Sequence, residues 1–157
     1  MSDTFDTVNT QVPLPVVNAF AQLGIPETFD LCLKTLDKHY EQVQWEVHPD
    51  QWSSELAKGL AHQRSLALNN AYEILRTPES RAAHLLQLGG HWPLPPFPEL
   101  FEIILSLKEM GHHPDAPSYG TSCQLFSESW NNRDVVGAQK AYWWMISLRN
   151  KNVHRLI

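Results

Sequence analysis

Cysteine is scarce in this chain: Cys32 and Cys123 are the only two in 157 residues. They have no metal-ligand spacing and make no disulfide framework, so a reducing compartment is the expectation. Basic residues are also in deficit, 12 against 17 acidic ones, giving a formal charge of −5. That balance argues against nucleic acid or an anionic membrane as the main partner. Long apolar runs are missing as well, and none reaches transmembrane length. Residues 1–11 hold Asp3 and Asp6, no basic residue and no apolar core, which fits neither a secretory signal nor an Arg-rich transit peptide. What remains reads as a soluble, cytoplasmic chain with material for one domain of sizeable core or two small ones.

No strand alternation and no internal repeat stands out, whereas helical spacing recurs throughout. Residues 1–15 are polar, contain Pro13 and Pro15, and read as a loose tail. Residues 16–23 suit a short helix ended by Gly24, with Pro26 beyond it. Leu33, Leu36, Tyr40, Val43 and Val47 then recur at steps of three and four, the apolar stripe of an amphipathic helix over 31–47. Lys34 and Lys38 lie one turn apart on another face. A second long helix follows from a capping serine, Ser53 or Ser54. Its later half sets Leu68, Ala71, Tyr72 and Leu75 on one side, and the small Ala71 permits close approach of its neighbour. Thr77-Pro78-Glu79 is a fresh start signal, a capping hydroxyl followed by proline and an acid in the first turn. That helix stops at Gly89-Gly90.

Four prolines, at 93, 95, 96 and 98, make 91–97 a stiff linker. A helix over about 98–110 follows, with Leu100, Ile103, Ile104, Leu107 and Met110 as its core stripe. Residues 111–120 read as a loop. A short helix fits around 123–130, Asn131-Asn132 marks a turn, and a last helix runs over about 134–149. Its core side carries Ala138, Ala141, Tyr142, Met145 and Leu148. The expected fold class is all-α.

One break organises the first half. His48-Pro49-Asp50 falls between the two long helices, where proline fixes its own φ and biases His48 away from helix. The break displays an imidazole and a carboxylate at the tip of a helical hairpin. A fixed, exposed carboxylate can accept charge-assisted hydrogen bonds from a partner's arginine. The chain supplies its own control, because His113-Pro114-Asp115 repeats the tripeptide in a Gly/Pro-rich loop without the flanking helices.

With those residues in view, the chain resembles a known family. Leu23-Gly24-Ile25-Pro26, the helix ending at Val47, His48-Pro49-Asp50, and Asn70-Ala71-Tyr72-Glu73-Ile74-Leu75 with Thr77-Pro78 resemble a J-domain. Arg81-Ala82-Ala83-His84-Leu85-Leu86 is similar to the segment that follows the J-domain in HscB, the iron–sulfur co-chaperone. The likeness is good over 20–90 and looser over 97–157, where the chain is shorter than the family pattern. The resemblance implies a J-domain over 16–77 and a C-terminal helical domain over 78–157. It implies that His48, Pro49 and Asp50 engage a DnaK-type chaperone ATPase, HscA, and stimulate its hydrolysis of ATP. It implies a second partner, the iron–sulfur scaffold IscU, carried to that ATPase. The hydrolysis would belong to the partner, so the chain needs no catalytic residue or cofactor of its own.

One feature departs from the J-domain pattern. The helix before the tripeptide usually presents a basic face, often with a lysine after the aspartate. Here Lys34 and Lys38, the candidate basic contacts to the ATPase beside His48, Pro49 and Asp50, share their helix with Asp37, Glu41 and Glu46, and Gln51 follows Asp50. Steering toward an acidic ATPase surface is therefore expected to be weaker.

In the C-terminal part, Phe101 and Leu105 point away from the core stripe, beside Glu109. Trp143 lies opposite the core side of the last helix and Trp144 on its flank. Phe101, Leu105, Glu109 and Trp144 match the places where, by the resemblance, HscB holds its scaffold. Phe101, Leu105 and Trp144 lie off the main apolar stripes, so partial exposure of these three is the expectation. Cover by a third helix or by the J-domain is the alternative. Two other readings stand beside the leading one. The first is a J-domain adaptor for a different client. The second is a metal-dependent enzyme built on His112, His113 and Asp115, which lack a spaced partner of the HExxH kind. No intrinsic metal site is expected.

Overall fold

Short polar side chains open the helices. Asn18 accepts the Ala21 N–H at 3.1 Å and starts α1 (Ala19–Gln22), later than the 16 expected. Ser54 accepts the Ala57 N–H and starts α3 (Glu55–Arg76), which pairs with α2 (Leu33–Glu46). Thr77 caps α4 (Pro78–Leu88), with proline in its first turn. Such caps satisfy N–H groups that have no intrahelical acceptor. The computed structural model describes residues 16–110 and 114–153. In that range the chain also forms α5 (Pro98–Met110), α6 (Tyr119–Asn131) and α7 (Val135–Val153), and no strand. The all-α expectation holds.

The start of α6 differs from expectation as well. Ser118 Oγ accepts the Thr121 N–H at 3.1 Å, so α6 begins at Tyr119 and takes Gly120 out of the expected loop. Gly24 and Gly90, at φ of +64° and +74°, close α1 and α4 in the left-handed conformation that glycine tolerates.

The α2–α3 hairpin is held in register by a polar seam. Tyr72 donates to Asp37 at 2.8 Å, Tyr40 donates to Asn69 at 2.7 Å, and Ser65 donates to Gln44 at 2.8 Å. The Tyr40 and Tyr72 rings lie 4.5 Å apart. Extended toward the open end of the hairpin, this antiparallel register sets Leu33 opposite Arg76, where α3 ends. Leu33 is accordingly 51% exposed, which corrects its place in the expected core stripe. Leu36 and Val47 are buried, with Tyr40 and Val43 partly so, as the stripe required.

The main hydrophobic cluster draws on both halves of the chain. Phe20, Leu23, Leu36, Leu68 and Leu75 pack in it with Leu85 and Leu86 of α4, Phe126 of α6 and Met145 of α7. Polar links follow the same path across residue 77. The Arg81 guanidinium donates to Leu75 O at 2.9 Å and to Phe29 O at 2.7 Å. Glu79 accepts from Tyr119 and from Arg149, both at 2.9 Å. His84 Nε2 accepts the Ala19 N–H at 3.0 Å. A second, smaller cluster joins Leu100 of α5 to Trp144 of α7. The side chains of Leu107 and Met110 lie outside the described residues.

His84 makes the fold acid-sensitive. Its ring is buried against Phe20, and burial pushes its pKa below the ordinary value, with Glu27 and Gln87 opposing the shift. The unfolded chain takes up a proton below about pH 6.5, whereas the folded one resists it. This contribution is complete above that pH and is lost as pH falls below it, by at most about 1.4 kcal/mol per pH unit. Thermal melts of the protein and of His84→Gln at several pH values should show a steeper acid decline for the unsubstituted chain. Parallel curves would mean that His84 takes no part.

Candidate functional site

The tip of the α2–α3 hairpin is a designed turn rather than a slack loop. Pro49–Gln51 form a 3₁₀ turn in which Gln51 N–H bonds to His48 O at 3.0 Å and Trp52 N–H to Pro49 O at 3.1 Å. His48, extended at φ −60° and ψ 134°, caps the turn by accepting the Asp50 N–H on Nδ1 at 3.3 Å. That bond requires an unprotonated Nδ1. The neighbouring contact of Nδ1 with Asp50 Oδ2, at 3.5 Å, is then no ion pair. The Asp50 carboxylate is left 88% exposed on a backbone whose own groups are satisfied. A preset carboxylate loses little freedom when a cation meets it.

Lys34 and Lys38 are both exposed on α2, as expected. Asp37 between them accepts from Tyr72, and Glu46 accepts from Gln42 at 3.4 Å. Lys38 stands about 15 Å along the helix axis from His48, at about 1.5 Å per residue. That exceeds the Debye length of about 8 Å at physiological ionic strength, so the field of both lysines at Asp50 is largely screened. The second tripeptide cannot be compared in full, because His113 lies outside the described residues, as does His112. Among the described residues no cluster of His, Cys, Asp and Glu could hold a metal.

Large apolar side chains ring this tip, and sequence reasoning missed them. Trp45 is 69% exposed and its ring lies over His48, centroids 6.4 Å apart. Trp52 follows the turn directly and is 44% exposed. The signal was available, since Trp45 stands off the stripe of Leu36, Tyr40, Val43 and Val47.

The second surface lies on α5. Phe101, Leu105 and Glu109 recur every four residues and so share one face. Phe101 is 64% exposed, Leu105 41%, and Glu109 is exposed as well. Beside them is a cleft of about 550 Å³ lined by Pro96, Phe97, Leu100, Phe101, Ile104 and Trp143. Lys140 lies over the Phe97 ring and pairs with Glu99, holding the Glu99 carboxyl below its usual range. Trp144 does not join this surface. It is 8% exposed and packs on Leu100, which corrects the expectation of an exposed aromatic there. The cause is α5 itself, which covers that flank of α7. The aromatic that reaches the cleft is Trp143, whose position opposite the main core was readable from helical spacing.

Burial separates the two kinds of residue by stability. Trp144→Ala should cost about 3 kcal/mol or more, as large aromatic truncations in cores do. Phe101→Ala should stay within about 0.5 kcal/mol. Denaturant titration of both variants checks the order, and equal losses would return Phe101 to the core.

No family model matches the chain. In sequence it is 38% identical over 76 residues to the HscB homologue of Pseudoalteromonas atlantica, covering 47% of this chain and 43% of that one. It is 40% identical over 73 residues to the homologue of Paraburkholderia phymatum, covering 45% and 42%. The chain thus matches less than half the length of these curated relatives. In structure it superposes on chaperone HscB from Vibrio cholerae with a TM-score of 0.70 at 22% identity, covering 89% of this chain and 97% of that one. On human HscB the TM-score is 0.72 at 22% identity, covering 90% and 82%.

Proposed function

We propose, for a chain that falls with the HscB co-chaperones in sequence and in fold, that it stimulates a DnaK-type chaperone ATPase of the HscA kind. On this reading it delivers an iron–sulfur scaffold of the IscU kind to that ATPase in the cytoplasm. The observation that carries the reading is Asp50, 88% exposed on a turn already capped by His48. Its carboxylate is placed to receive an arginine or lysine of the ATPase, and charge-assisted hydrogen bonds of this type are about twice as strong as neutral ones. Pro49 holds the turn, and His48 orients it. Lys34 and Lys38 add a modest basic face farther along α2. No helix among the described residues is long and apolar enough to cross a membrane.

The scaffold would dock on the α5 face. Phe101 and Leu105 supply apolar area, Glu109 supplies charge, and Trp143 stands where the aromatic of α7 was sought at Trp144. Trp144 supports this surface from beneath through Leu100. The chain contributes geometry only: a fixed carboxylate at one end and an apolar ridge at the other.

Two measurements test the two ends separately. Asp50→Asn should abolish stimulation of the ATPase with no loss of helix content, while Asp115→Asn should leave stimulation intact. Equal losses in steady-state assays would sink the tripeptide assignment. The double change Phe101→Ala with Leu105→Ala should weaken scaffold binding at least tenfold, about 1.4 kcal/mol, and leave direct stimulation unchanged. Intact binding by calorimetric titration would remove the α5 face and favour an adaptor for a different client.

A further inference from the structure

The apolar ring at the hairpin tip is not explained by a carboxylate contact alone. Trp45 and Trp52 bracket the tripeptide, 69% and 44% exposed, and Leu56 and Leu60 follow on α3 at 77% and 59%. Leu56 and Leu60 are four residues apart and share a helix face. Trp52 and Leu60 line one cleft of about 310 Å³, floored by Val47 and Ala61. Scattered exposed apolar residues are ordinary, whereas large ones gathered about a single turn, with Trp45 over His48 and Trp52 sharing a cleft with Leu60, mark an interaction surface. The fixed charges around it are already engaged or opposed. Glu55 pairs with Lys58 at 3.0 Å, Glu46 accepts from Gln42, and the cleft carries Glu46 and Arg64 together.

We propose that Trp45, Trp52, Leu56 and Leu60 form an apolar anchor that docks the same chaperone ATPase that receives Asp50. This inference rests on the tripeptide reading above and adds the chemistry of the partner. The matching ATPase surface is an apolar shelf beside a cation, not a broad acidic face. Continuity supports this occupant: Trp45 lies over His48, and the Trp52 N–H closes the turn on Pro49. A macromolecule whose cation reaches Asp50 must also cover those two indoles. Charge supports it as well. The lysines of α2 stand beyond the screening distance from Asp50, so apolar burial supplies most of the affinity beside their modest basic face. Tryptophan is the side chain that most often dominates such interfaces.

The test uses the full chain and a purified HscA-type ATPase from the same organism. Stimulation is titrated for the unsubstituted protein, for Asp50→Asn, and for the double change Trp45→Ala with Trp52→Ala. The double variant should raise the half-saturating concentration at least tenfold and approach the same maximal stimulation. The unsubstituted protein should show less than a threefold change in half-saturation between low and physiological ionic strength. If Asp50→Asn stimulates normally, the tripeptide reading fails, and this inference with it. If Asp50→Asn is inactive but the double variant half-saturates normally, only the apolar anchor is overturned. Leu56→Ser, at a position too exposed to matter for folding, gives a second arm with the same expected direction should the double variant melt early. Sedimentation of both proteins adds a final outcome. Loss of a self-associated form in the double variant, with unchanged stimulation, would assign the patch to a second copy of this chain and overturn the proposal.

Discussion

The joint between the hairpin and α4 depends on a buried cation that, among the described residues, bonds to carbonyls and not to a carboxylate. Arg81 is 5% exposed, donates to the carbonyls of Phe29 and Leu75, and stands 5.8 Å over the Phe29 ring. Burial draws its pKa down, and Asp30 nearby works against that. A guanidinium held this way is costly to desolvate and can be tolerated only if its donors are met. The Nε and one Nη donor are met by the last turn of α3 and by the chain ahead of α2. The same residue therefore fixes the start and the end of the hairpin relative to α4. Glu79 and His84, one on each side of Arg81 along α4, extend the tie to α6, α7 and α1.

With its base clamped, the hairpin can present a rigid tip. The polar seam of Tyr40, Gln44, Ser65 and Asn69 sets the register, and the 3₁₀ turn converts the proline break into a fixed pose for Asp50. The opposite end works by packing. Helix α5 lies on α7 through Leu100 and Trp144 and turns Phe101 and Leu105 outward. Rigidity thus comes from hydrogen bonds at one end and from burial at the other. Each leaves a different kind of side chain in water.

The sequence was most informative where a single chemical rule decides the outcome. A serine at 53 or 54 and Thr77 read as caps because a short hydroxyl before a helix has few other uses, and proline in His48-Pro49-Asp50 has to end α2. Helical spacing placed Leu68, Ala71 and Leu75 in the core without knowledge of what would cover them. It failed where the cover itself mattered. Leu33 lies on the same stripe as Leu36, but the partner helix ends beside it. Trp144 lies on a flank that only α5 could bury, and nothing in the spacing of α7 announces α5. The role of Arg81 was equally hidden, because a buried guanidinium is recognisable only from the carbonyls it meets. Trp45 escapes a search for apolar stripes for a simpler reason: it stands off the stripe of α2, exposed over His48.

The shared core has a consequence for how this protein is made. Met145, Ala138 and Ala141 come from α7, yet they pack in one cluster with Leu36, Leu68 and Leu75 of the hairpin. A growing chain that has emerged only as far as α4 still lacks the helices that seal that cluster. Long-range contacts of this kind form after the loop entropy separating them has been overcome. During synthesis the tripeptide would therefore emerge well before the core beneath it is sealed. A nascent chain would carry Asp50 on a hairpin whose core is still open, and its settled pose would coincide with synthesis of α7.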